Sequence, residues 1–93
     1  MFQIKPTPVG NIHDDTADQI ARKIDRRMMR QAGSRTWAIG YDRHGSVFHI
    51  DMESDSAVFL HRLKLIGHYK RKVSREWLVE DLEAVMGKER MVA

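Results

Sequence analysis

Residues 36–52, TWAIGYDRHGSVFHIDM, hold two runs rich in aromatic and β-branched side chains on either side of a turn-forming Asp-Arg-His-Gly. Such a segment reads as a β-hairpin. A hairpin is marginally stable in water by itself, so the rest of the chain must supply cover for its apolar face. If His44 and Gly45 are the two turn residues, Tyr41 pairs with Phe48, Ile39 with Ile50 and Trp37 with Met52, which gathers every large apolar side chain on one face. A three-residue loop, Arg43 to Gly45, would oppose Ile39 to His49 and Trp37 to Asp51. A one-residue slip turns a strand inside out, so a single apolar face selects the first register, or a four-residue loop that preserves it. The second face then carries Ala38, Gly40, Asp42, Val47, His49 and Asp51.

The stretch DDTADQIARKIDRRMMRQAG, residues 14–33, predicts a helix ahead of the hairpin. Asp15 or Thr16 can cap it, Thr16 with Gln19 fits a capping box, acids favour its positive end, arginines favour the other, and Gly33 stops it. At 100° per residue Ala17, Ile20, Ala21, Ile24, Met28 and Ala32 share one face. Arg22, Lys23, Arg26, Arg27 and Arg30 fill much of the other side, with Asp18 and Asp25 as a thin acidic seam and Met29 beside it.

After the hairpin, Ser-Asp-Ser at 54–56 offers caps for a second helix reaching about Ile66, with Gly67 as a stop. Phe59, Leu60, Leu63 and Ile66 make its stripe, while Val58 and Leu65 fall outside it and suit a helix between two layers or at a subunit contact. A third helix starts after Ser74, with Val73 and Leu78 placed as a hydrophobic staple, and ends near Met86 before Gly87. Leu78, Val79, Leu82, Val85 and Met86 form its buried face, Glu76, Glu80 and Glu83 its wet one. Trp77 belongs to neither, so it packs under the 67–73 joint or faces a partner. FQIK at 2–5 alternates as a short edge strand would, ended by Pro6 and Pro8. The expected fold is therefore α+β: a small antiparallel sheet covered on one face by three helices, in the order β-α-β-β-α-α.

Composition bounds the class. With 93 residues, 42% hydrophobic and 31% charged, the chain suits one small globular domain spanning 1–93, with partly flexible ends at 1–13 and 88–93. Without cysteine there are no disulfides and no thiolate chemistry, so the core alone holds the fold. The longest apolar run of the folded segments, Ala57 to Leu60, is far short of a membrane span, and the first fifteen residues lack the apolar block of a signal peptide. A cytoplasmic protein with no membrane association is expected.

Charge carries the functional signal. Residues 61–75, HRLKLIGHYKRKVSR, contain six Lys or Arg and no acid, and Arg22, Arg26 and Arg30 stand on successive turns of the first helix. Phosphate recognition needs cations spread along a surface, so Arg22, Arg26, Arg30, Arg62, Lys64, Lys70, Arg71, Lys72 and Arg75 are candidate polyanion contacts, with Tyr69 able to stack on a base. The plainer reading is a solvated face balanced by the acidic last helix. Two helices meeting near Gly67 invite a helix-turn-helix reading, but the joint is long and the last helix presents glutamates where a groove reader needs donors. His49, Asp51 and Asp42 on the hairpin's lighter face could bind a metal or move a proton, yet no enclosed pocket is evident and polar residues on an exposed strand are ordinary. His61 and His68 would align only through Gly67.

No phosphate-binding glycine loop, nucleophile with its base, or paired carboxylates are present. The sequence predicts a noncatalytic basic module without cofactor, metal or small-molecule substrate, whose partner is nucleic acid or an acidic protein surface. The alternative is a self-associating protein-binding regulator that uses Val58, Leu65 and Trp77.

Overall fold

A computed structural model describes residues 7–30, 36–51 and 62–91. They form β1 (Thr7–Asn11), α1 (Ala17–Arg30), β2 (Trp37–Tyr41), β3 (Ser46–Asp51), β4 (Lys64–Tyr69) and α2 (Arg75–Met91). The four strands make one sheet in the order β1-β3-β2-β4 with every neighbouring pair antiparallel. Because β1 and β2 both run against β3, they are parallel to each other, and α1 joins them as the helix of a split β-α-β unit.

The first helix follows its sequence. Thr16 Oγ accepts from the Gln19 amide at 3.1 Å while Gln19 Oε1 accepts from the Thr16 amide at 2.8 Å, the reciprocal bonds of a capping box. Ala17, Ile20, Ala21, Ile24 and Met28 are all buried against the sheet. α2 begins as its staple predicts, with Ser74 Oγ accepting from the Trp77 amide and Val73 packed on the core. Leu78, Leu82 and Met86 then bury between α1 and the β2–β4 half of the sheet. Gly87 does not end this helix, which continues to Met91. An interior glycine costs a helix only about 1 kcal/mol, and the Tyr41 hydroxyl donating to Glu89 at 2.9 Å ties the last turn to β2.

The hairpin adopts the other register. Tyr41 faces Val47, Ile39 faces His49 and Trp37 faces Asp51. Turn chemistry decides this. The Asp42 carboxylate accepts from the amides of His44 and Ser46 at 2.9 Å each, the Gly45 amide bonds the Asp42 carbonyl, and Gly45 takes φ +84°, as a type I turn with a glycine bulge requires. The criterion of one apolar face fails because the sheet is buried on both sides. Trp37, Ile39, Tyr41, Val47 and Tyr69 pack under the helices, whereas Ala38 and Ile50 are fully buried on the opposite face.

The three-helix expectation is corrected to two among the described residues. Lys64 to Tyr69, given above partly to a second helix and partly to its joint, form a strand against β2. Gly67 is not a helix stop: it lies opposite Ile39, and a Cβ there would run into the Tyr69 ring, which folds back over it. The edge strand sits at 7–11 with Pro8 inside it, made possible by a bulge between Pro8 and Gly10. Strand 2–5, the helix start at 54–61, Val58, His61 and the pairing of Met52 lie outside the described residues. Residues 7–13 form β1 and the turn after it, and 88–91 form the last turn of α2.

Candidate binding surface

α1 runs back along the sheet toward the end where β2 starts, and α2 leaves from that same end, so the helices are antiparallel. Their junction is an ion pair from Arg75 Nε to Asp25 at 2.8 Å. The bond and charge of Asp25 raise the Arg75 pKa further. Arg22 is likewise engaged, with Asp18 one turn before it at 2.7 Å. The acidic seam thus faces α2, and two of the predicted polyanion contacts are matched with acids. Arg26 is exposed on the outer face of α1; the side chain of Arg30 lies outside the described residues.

The remaining candidates lie along β4. Arg62 and Lys64 flank its start and Lys70, Arg71 and Lys72 follow its end, all exposed. At roughly 3.3 Å per residue the strand separates the two groups by about 20 Å, so they form a stripe along the sheet edge and not a compact patch. Among the described residues none of these five is in an ion pair. The loop holding the second group is anchored: Trp37 Nε1 donates to the Arg71 carbonyl at 3.1 Å. At the other end Arg62 and Lys64 share the wall of a cleft of about 320 Å³ with Arg43 of the hairpin turn. The cleft's two acids are occupied, Asp42 by the turn amides and Glu89 by the Tyr41 hydroxyl.

Tyr69 is not a base-stacking platform. Its ring is 8% exposed, stacks on Trp37 with centroids 4.4 Å apart, and its hydroxyl donates to Asp81 of α2. Burial and that carboxylate both push its pKa up, as burial and Glu89 do for Tyr41. The row continues through His49, whose ring centroid lies 5.1 Å from that of Trp37. His49 is 1% exposed, and Nδ1 accepts from Arg27 Nε at 3.1 Å. The proton of the neutral ring therefore sits on Nε2, which is buried without a partner. Burial first, then the Arg27 charge, lowers the His49 pKa to about 4, against a weaker upward pull from Asp51.

The lighter-face constellation is thereby dissolved. His49 and Asp51 are under the helices and Asp42 caps the turn. Among the described residues no group of three His, Asp or Glu is placed to hold a metal ion, and no helix is long and apolar enough to cross a membrane.

Of the predicted partner-facing residues, Leu65 is 56% and Trp77 63% exposed, and Met29 is exposed as well. Sequence reasoning gave Trp77 a choice between the joint and a partner; Tyr69 and Val73 occupy the ground near the joint, and Trp77 is left outside. The buried aromatic row was missed because the rejected register hid it.

The chain matches no family model, and neither the curated proteins nor the solved structures contain a match to it. The reading of function therefore rests on the geometry.

Proposed function

We propose that the protein is a noncatalytic binding module that holds nucleic acid by its phosphate backbone along β4 and the loop after it. The observation that carries this reading is the stripe of Arg62, Lys64, Lys70, Arg71 and Lys72, exposed and free of acidic partners among the described residues, over about 20 Å of edge. Arg26, exposed on α1, stands apart from this stripe, because α1 packs on β1 and α2 while α2 is the helix against β4. No acid interrupts the sequence from Arg62 to Ser74; in space Asp42 and Glu89 line the cleft beside Arg62 and Lys64, while Lys70, Arg71 and Lys72 follow the other end of β4. Backbone contacts fix position and carry no sequence information, and Tyr69 is buried and cannot stack on a base. The module accordingly tolerates many sequences.

Purification at low salt tests this directly. Copurified nucleic acid, seen as excess absorbance at 260 nm that high salt removes, supports the reading. A clean protein that also fails to retard labelled DNA and RNA at low salt ends it.

A further inference from the structure

The sheet's two edges are finished differently. β1 is guarded by Pro8, which lacks a donor, and by the bulge that follows it. β4 is the other edge; it has no proline, its one irregularity in pairing with β2 is the extra residue Ile66, and among the described residues no strand pairs with its outer side. The two exposed large apolar residues near it stand on its two sides. Leu65 pairs with Gly40, whose neighbours Ala38 and Ile50 define the face away from the helices. Trp77 lies one helical turn before Asp81, which bonds the Tyr69 hydroxyl, so Trp77 shares the α2 flank turned toward β4 on the helix side. A strand added to this edge would alternate its side chains between these two apolar residues.

Charge selects the occupant. A second copy pairing antiparallel about Gly67 would set Lys64 against Lys70 and Arg62 against Lys72. Pairing about the Ile66–Gly67 bond would set Arg62 against Arg71. Like charges directly opposite destabilise a strand pair. An acidic strand meets the same cations favourably.

We propose that the outer edge of β4 takes up an extended acidic segment of a partner protein as a fifth strand, with two neighbouring apolar side chains, one turned to each face, resting on Leu65 and Trp77. Backbone hydrogen bonds supply the docking and Lys64, Lys70, Arg71 and Lys72 supply the preference for acids.

The test uses a short end-blocked peptide with a central Val-Val pair flanked by Glu residues, and the same peptide N-methylated at every residue, which leaves no donor on either edge. Both carry equal charge, but the second cannot pair along an edge. The expected result is binding of the first with slowed amide exchange confined to β4, at least about tenfold weaker binding of the second, since two or more bonds of about 1 kcal/mol each are lost, and a comparable loss for Leu65→Ser with Trp77→Ala. Both substituted residues are exposed, so the fold is not at stake. Equal affinity for the two peptides, exchange unchanged at β4, or a free protein that scatters as a dimer with β4 already protected overturns the proposal. Equal peptide affinities would leave the phosphate-binding reading intact, whereas loss of nucleic-acid binding alone would leave this one intact.

Discussion

Acidification tests the buried row more sharply than any substitution, because it acts on one group sealed from water. His49 is 1% exposed, held by Arg27 Nε on Nδ1, with Nε2 unpartnered, and its pKa is lowered to about 4 from 6.5. The unfolded chain therefore binds a proton on this ring at a higher pH than the folded one does. The sign follows: the stability is fully present above about pH 6.5 and is lost as pH falls through the window down to about 4. Over the whole window the loss is about 3 kcal/mol, since each pH unit between the two pKa values is worth about 1.4 kcal/mol, and by pH 5 it is already about 2 kcal/mol. The charged and titratable groups nearest the ring are Arg27 of α1 and Asp51 of β3; Tyr69 of β4 and Asp81 of α2 lie beyond Trp37. Urea melts at about pH 7 and about pH 5 measure the effect. With a slope of about 1–1.5 kcal/mol per molar for a chain of this size, the midpoint should drop by roughly 1.5 M. His49→Leu should remove most of that drop. A midpoint that does not move, or one that moves as far in His49→Leu as in the parent, would refute the reasoning.

Three substitutions address the backbone. Gly87→Ala should stabilise by about 0.5–1 kcal/mol in a thermal melt, since a Cβ there meets nothing within 4 Å and the helix gains a better former. Gly67→Ala should destabilise by about 1–3 kcal/mol, because the Tyr69 ring that a methyl would strike is pinned between Trp37 and Asp81 and cannot swing away. Thr16→Ala should cost about 1 kcal/mol in chemical denaturation by opening the capping box.

What was legible in the sequence is what local chemistry decides. Thr16 with Gln19, the buried stripe from Ala17 to Met28, and the Ser74 cap are each set within a few residues. β4 was misread because Lys64-Leu-Ile-Gly-His-Tyr has no clean alternation and a glycine placed like a helix stop. Its strand state comes from pairing with β2, more than twenty residues away. The hairpin register failed for a related reason: β2 lies between β3 and β4 with both faces buried, so alternation no longer reports which side is the core. Asp42 and Gly45, by contrast, carried the correct turn in plain view. The site divides in the same way. Exposure of Lys70, Arg71 and Lys72 could be read from their charge, and the Arg22–Asp18 pair is an i,i+4 contact within α1 that spacing offers, but the loss of Arg75 to Asp25 needed the docking of α2 on α1.

The binding claim is tested most directly by the salt dependence of affinity for a labelled single strand. If the five cations of the β4 stripe each meet a phosphate, log Kobs should fall against log salt with a slope of about −3.5. The change of Lys70, Arg71 and Lys72 to Glu should abolish binding at about 50 mM salt. A slope near zero, or a triple variant that binds as the parent does, would contradict the account.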